Sequence, residues 1–256
     1  MTHEHRIAML IDADNSPADM IDEVLDELAK EGVINIRRAY GNWGSAHLKA
    51  WAAVLHDFAI QPIQQFDYTK GKNATDAAMI IDAMDLLYTK QLDGVGIVSS
   101  DSDFTPLVMR LRANGLKVYG FGEEKTPKPF VNACSKFLYL ESLRRPEDAV
   151  APAADPAQLE AAPQNGTPPP ARAEVSALRG DTRLVNLLRK AVEAAADDEG
   201  WAGLGAVGQH ISKQASFDSR NYGYAKLSGL FQAIGLFDVR THGKGLQVRD
   251  RRTARQ

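Results

Sequence analysis

Residues 6–15 read RIAMLIDADN, and residues 94–104 read GVGIVSSDSDF. Each is an unbroken apolar run that ends in acids. A run without polar alternation is what a strand buried on both faces of a parallel sheet requires. In open α/β sheets, ligands bind outside the carboxyl ends of the strands. Both acidic endings therefore fall where a site belongs, although 89 residues separate Asp12 from Asp101.

The segments around these runs alternate in the same sense. Ser16 before Pro17 fits an N-cap with proline at the first helical position, opening a helix that Gly32 ends. Met20, Ile21, Val24, Leu25 and Leu28 recur at helical spacing along it. A strand is expected around Val33–Tyr40, a helix around Ser45–Phe58 and a strand around Ile60–Phe66. A helix around Thr75–Tyr88 then leads to the strand at 94–100, and a helix at Thr105–Asn114 leads to a strand at Lys117–Phe121. Phe137–Leu140 is a candidate last short strand. This order predicts an α/β fold with a doubly wound, mostly parallel sheet and helices on both faces.

Three regions follow from composition. Residues 146–178 hold seven of the chain's 12 prolines, many alanines and no aromatic residue. Such a stretch buries too little apolar surface to offset its ordering entropy and reads as an extended linker. It divides a domain at 1–145 from a second at 179–256. Residues 1–171 carry 16 Lys/Arg against 24 Asp/Glu, and residues 172–256 carry 14 against 9, so an acidic front precedes a basic back. The basic half is the better suited to a polyanion. The single cysteine, Cys134, excludes an intrachain disulfide framework and fits a reducing compartment. No apolar run approaches membrane-spanning length, so a soluble, cytoplasmic protein with no membrane contact is expected.

Asp12, Asp101 and Asp103 at the two strand ends, with Asp76 at the start of a predicted helix, would repel one another if the fold brings them together. A hard divalent cation relieves such repulsion through oxygen ligands, and it polarises phosphoryl oxygens and activates water. Asp14 and Asp82 are expected in structural roles. Ser99 and Ser100 are equally suited to holding a ligand and to ending a strand. Phosphate-loop and dinucleotide fingerprints, zinc-ligand spacing and a G-x-S-x-G elbow are all missing.

Asp12-Ala13-Asp14-Asn15, Lys72-Asn73-Ala74-Thr75-Asp76 and Ser99-Ser100-Asp101-Ser102-Asp103-Phe104, in that order, resemble the NYN domain. That domain is a branch of the PIN-like nucleases, and the resemblance is to its LabA-like group over roughly residues 5–143. It implies RNA hydrolysis dependent on Mg²⁺ or Mn²⁺. The family's acidic positions correspond to Asp12, Asp76, Asp101 and Asp103, with Asn15 as an auxiliary polar residue. The expected metal holders are Asp12, Asp101 and Asp103. Arg38, Lys70 and Lys72 are candidates for flanking phosphates, and Tyr40 and Trp43 for base stacking. Core packing explains Tyr40 equally well.

Beyond the linker, LVNLLRKAVEAA, Leu204–Gln214 and the stretch through Phe237 read as three helices, and KGLQVRD reads as a closing strand. The run from Phe217 to Leu227, with Leu230-Phe231 and Gly235-Leu236-Phe237, resembles the OST-HTH/LOTUS domain over roughly 179–250. A small winged-helix-like domain that binds RNA or a protein partner is implied. Arg220, Lys226, Arg240, Lys244 and Arg249 are the candidate phosphate contacts. Tyr222 is equally suited to packing and to stacking on a base. The chain is thus expected to be a ribonuclease, acting as an endonuclease on single-stranded or structured RNA, with a tethered RNA-binding module. A non-catalytic RNA-binding adaptor is the alternative. A phosphatase, suggested by Asp12-Ala13-Asp14, lacks the threonine and lysine such chemistry recruits. A homo-oligomer remains open.

Overall fold

The computed structural model describes residues 4–66, 74–144, 173–243 and 245–253. Six parallel strands build the first sheet: β1 (Arg6–Asp12), β2 (Val33–Gly41), β3 (Gln61–Gln64), β4 (Gly94–Val98), β5 (Lys117–Gly122) and β6 (Lys136–Tyr139). Their order is β3-β2-β1-β4-β5-β6. The chain therefore winds one way from β1 and the other way from β4. The switch point, where such sheets open a crevice, lies between the two strands that end in acids.

The apolar run of β1 serves both faces. Ile7, Met9 and Ile11 enter one core layer with Met20, Ile21, Val24 and Leu28. Ala8 and Leu10 enter the other with Met79, Ala83 and Leu86. The first helix facing that sheet is α1 (Ile21–Ala29), and α3 (Ala74–Thr89) covers the opposite side with α4 (Thr105–Ala113). At Gly96 in β4 a side chain would meet Leu28 at 2.7 Å, so glycine lets α1 close onto the switch point. Truncating Leu10 or Leu28, both fully buried, to Ala is expected to cost about 2–5 kcal/mol.

Two helix expectations need correction. Ser16 does not cap a helix at Pro17: its hydroxyl donates to the Val98 carbonyl at 3.1 Å, and α1 starts only at Ile21. The segment after Asp12 is tied to the end of β4 instead. Residues 45–58 break into a 3₁₀ turn (Ala46–Leu48) and the short α2 (Lys49–Val54). Ala59, at φ 51°, reverses the chain into β3. A short helix that periodicity did not reveal, α5 (Lys128–Ala133), precedes β6.

The second module is a small helical domain with a hairpin wing. It comprises α6 (Val175–Gly180), α7 (Thr182–Ala195), β7 (Ala202–Gly203), α8 (Leu204–Gln214), α9 (Leu227–Ile234), β8 (Phe237–His242) and β9 (Gly245–Asp250). The wing pairs antiparallel, with β7 on the other side of β9. Gly235 ends α9 in the left-handed region at φ 64°, where a β-carbon is costly. Leu178, Leu188, Val207, Ile211, Leu230, Phe231 and Phe237 form its core. The packed region reaches back into the stretch expected to be linker, because α6 seats Leu178 in that core. Residues 145–172, the bulk of the expected linker, lie outside the described residues.

The two modules touch. The side chain of Asn221 pairs with the open edge of β6: Nδ2 donates to the Phe137 carbonyl at 2.9 Å, and Oδ1 accepts from the Tyr139 amide at 3.2 Å. One amide thus satisfies backbone groups that an edge strand otherwise leaves to solvent. Beside it, Arg220 grips Glu27 of α1 through two hydrogen bonds at 2.6 and 2.9 Å.

Candidate metal centre

The carboxyl ends of β1 and β4 are braced to each other by one hydroxyl. Ser99, fully buried, donates through Oγ to Asp12 Oδ2 at 2.9 Å and accepts from the Asp101 amide at 3.0 Å. Its role is positioning. Asn15 adds a second clamp, with Nδ2 at 3.3 and 3.1 Å from the two Asp12 oxygens. Asp12 is wholly buried, and burial raises its pKa while the bonds from Ser99 and Asn15 oppose the rise.

Asp101 sits where β4 gives way to a 3₁₀ turn (Ser102–Phe104). It caps that turn, accepting from the Asp103 amide at 2.8 Å. Phe104, fully buried, anchors the turn in the core and leaves Asp103 exposed. Asp76 lies in the first turn of α3 and is 6% exposed. Its pKa is pushed up to about 6 by burial first, and then by the charges of Asp12, Asp101, Asp103 and Asp14. The four acids read from sequence therefore share one electrostatic neighbourhood. Among the described residues no Lys or Arg forms an ion pair with Asp12, Asp76 or Asp101.

Asp14 takes a structural part, accepting from the Thr75 hydroxyl at 2.8 Å and so fixing the start of α3. Ser100 supports the neighbouring loop, its hydroxyl accepting from the Glu123 amide at 2.9 Å. Asn15, Ser100, Asp101 and Ser102 line an open groove of about 320 Å³ with Lys125 and Pro127. Lys125 and Lys128 were not foreseen. Their signal was available, since KTPK (125–128) follows β5, the next strand ending at the same sheet edge.

Several of the residues expected to contact substrate have partners within the chain. Arg38 is not a free cation, because Nη1 bonds both oxygens of Asp82 at 2.5 and 2.7 Å. The Tyr40 hydroxyl donates to the same carboxylate. Tyr40 is fully buried, so it belongs to the core. Trp43 packs against the core and donates through Nε1 to the Ile63 carbonyl at 3.0 Å, which leaves it poorly placed to stack on a base. Lys70, Lys72 and Lys244 lie outside the described residues. Arg220 is committed to Glu27 and Asp218 rather than available to phosphate. Arg240 and Arg249 bracket the Trp201 ring at 3.8 and 4.4 Å. Lys226 is exposed at the start of α9, and Tyr222 stacks on Phe217 with centroids 5.9 Å apart. Cys134 is filler in the core, its thiol pushed up to about 12 by burial.

Among the described residues no three acidic, histidine or cysteine side chains form a ready-made metal shell. The donor set still fits Mg²⁺ or Mn²⁺. Mg²⁺ keeps several waters and uses one or two carboxylates directly, and the mutual repulsion felt at Asp76 is what a cation would relieve. No described helix is long and apolar enough to cross a membrane.

Two family models match the two modules of this chain. The NYN domain model matches residues 6–141, and the OST-HTH/LOTUS domain model matches residues 179–249. An uncharacterized protein of Methanocaldococcus jannaschii is 33% identical over 128 residues, covering 47% of this chain and 49% of that one. The chain thus spans about half the length of this curated relative. A crystal structure of a protein of unknown function from Vibrio parahaemolyticus aligns with TM-score 0.45 and 19% identity, over 54% of this chain and 94% of that one. A solution structure of an uncharacterized protein from Nitrosomonas europaea aligns with TM-score 0.27 and 32% identity, over 37% of this chain and 90% of that one. With the NYN match spanning more than half of its residues, this chain belongs to the NYN domain family and carries an OST-HTH/LOTUS domain behind the NYN domain.

Proposed function

We propose that the chain is a cytoplasmic ribonuclease, dependent on Mg²⁺ or Mn²⁺, that cuts RNA internally and is helped to its substrate by the OST-HTH/LOTUS domain. The observation that carries this is the brace by which the Ser99 hydroxyl ties Asp12 to the Asp101 amide at the sheet's switch point. The buried Asp76 carboxyl, raised by burial and by these neighbouring acids, supports it, and among the described residues no Lys or Arg pairs with Asp12, Asp76 or Asp101. On the other side of the domain the buried Glu27 is instead paired with Arg220 and Lys30.

Asp12, Asp101 and Asp103 would hold the metal, in part through water, and Asp76 would complete the acidic ring. When bound, the cation would polarise the scissile phosphate and make water nucleophilic near neutral pH. Ser99 and Asn15 would hold the Asp12 carboxylate in place beside Asp101. Lys125, on the groove wall and paired with Glu123, is placed to meet a flanking phosphate.

The test is cleavage of end-labelled single-stranded and structured RNAs by wild type and Asp101→Asn, with Mg²⁺, Mn²⁺ or EDTA. Cleavage that requires metal and falls at least about tenfold in the variant, equivalent to about 1.4 kcal/mol of barrier, is expected. Products distributed along the strand would mark an endonuclease. Wild-type rates in a folded Asp101→Asn protein would overturn the proposal. RNA binding without cleavage would favour the adaptor alternative, to which the engaged oxygens of Asp12 lend some weight.

A further inference from the structure

A cleft of about 350 Å³ runs between the two domains, walled by α5 and β6 on one side and by α7 and the 215–222 segment on the other. Its size suits a small ligand or one nucleotide unit. Lys128 and Arg183 stand on opposite walls, both exposed. Each is held by a neutral partner: Lys128 Nζ bonds the Tyr139 hydroxyl at 3.0 Å, and Arg183 Nη2 bonds Asn132 Oδ1 at 2.9 Å. Neither forms an ion pair among the described residues, so their charges stay available to an anion.

Two carboxylates also line the cleft, and both are occupied. Asp218 is bound by Arg220 at 2.9 Å, and Asp181 caps α7 by accepting from the Leu184 amide at 2.9 Å. Phe217 and Tyr222 line the cleft as a stacked pair with planes 28° apart. Cations and an aromatic pair are what an unpaired nucleotide requires of a protein.

The position of the cleft ties it to the acidic groove. Pro127 lines the groove and Lys128, the next residue, lines the cleft, so one short segment contributes to both sites. We infer that the interdomain cleft is a subsite for one unpaired nucleotide of the RNA strand leaving the acidic groove. Lys128 and Arg183 would take the phosphate, and the Phe217–Tyr222 pair would meet the base. This rests on the ribonuclease proposal for the identity of its ligand, but not for the existence of a nucleic-acid site.

The experiment measures affinity of the full chain for a fluorescein-labelled single-stranded 12-mer RNA (about a dozen nucleotides, near the span of a single-strand site) in EDTA across salt concentrations. Lys128→Ala with Arg183→Ala is expected to weaken binding about tenfold, and to reduce the salt slope by about 0.7 for each lost contact. Lys128→Arg with Arg183→Lys should restore most of it. Lys90→Ala with Lys117→Ala removes two exposed charges from the opposite end of the sheet and should change binding less than about twofold. A 4-thiouridine RNA should crosslink to the peptide bearing Phe217 or Tyr222. Unchanged affinity in a folded Ala pair, or equal losses in both Ala pairs, would overturn the cleft. Because binding is read without metal, a protein that binds through Lys128 and Arg183 yet never cuts RNA would sink the nuclease and leave the cleft standing. One that cuts RNA but binds it equally well without these residues would do the reverse.

Discussion

Two clusters of carboxylates lie on the NYN domain, and they are treated in opposite ways. On the outer face of α1, Glu27 is bound by Arg220 and Lys30, and Lys136 pairs with Glu31 at 3.1 Å and Asp218 at 3.8 Å. Burial alone would raise the Glu27 carboxyl, but bonds and charges from Arg220 and Lys30 hold it at about 2. At the switch point, Asp76 is pushed up to about 6 because its neighbours are acids. The first cluster is finished and joins two domains. The second has no such cation partner among the described residues, and the proposed function rests on that difference.

The largest effect expected from breaking this contrast is at the domain junction. Removing one partner of a buried pair strands the other, so Arg220→Ala should cost about 3 kcal/mol, read from denaturant unfolding of the full chain. A change below about 0.5 kcal/mol would mean that the junction contributes no more than a surface pair.

The next effect is the pH response, where the clusters pull in opposite directions. Glu27 has a folded pKa below its usual 4.5, so its stabilisation is present above 4.5 and is lost as pH falls toward 2. Asp76 has a folded pKa above its usual 3.8, so the folded state holds the extra proton between 3.8 and about 6. Its contribution therefore declines as pH rises through that window, leaving the metal-free protein on the order of 2 kcal/mol less stable above it. Asp76→Asn should remove this decline in a pH series of melting curves run in EDTA, and an unchanged series would contradict it. A smaller effect is expected from Ser99→Ala, which deletes the brace between β1 and β4. It should lose about 1–2 kcal/mol of stability, along with part of the proposed RNA-cleaving activity, whereas a neutral outcome would show that Asn15 alone positions Asp12.

The contrast also explains what could be read in advance. Apolar runs ending in acids, at Asp12 and at Asp101, are local signals, and the β-α alternation places both endings on one sheet edge. Thr75 and Phe104 needed no foresight for that. What escaped among the site residues was the partner that tertiary contact supplies. Arg38 looks like a phosphate contact until Asp82, 44 residues on, claims it. Arg220 looks the same until Glu27, 193 residues away, does. Ser16 has the residue type and the following proline of a cap, yet its hydroxyl goes to β4. In each case the residue type was right for its chemistry, and tertiary contact decided which use it was given.

On the proposed function the acids at the switch point form a divalent-cation site and the paired acids do not. Mn²⁺ binding to the full chain, followed by electron paramagnetic resonance of the free ion, tests it without requiring turnover. Wild type and Asp218→Asn should both take up Mn²⁺, and Asp12→Asn and Asp101→Asn should lose most of that uptake while remaining folded. Equal uptake by all four proteins, or none by wild type, would contradict the account.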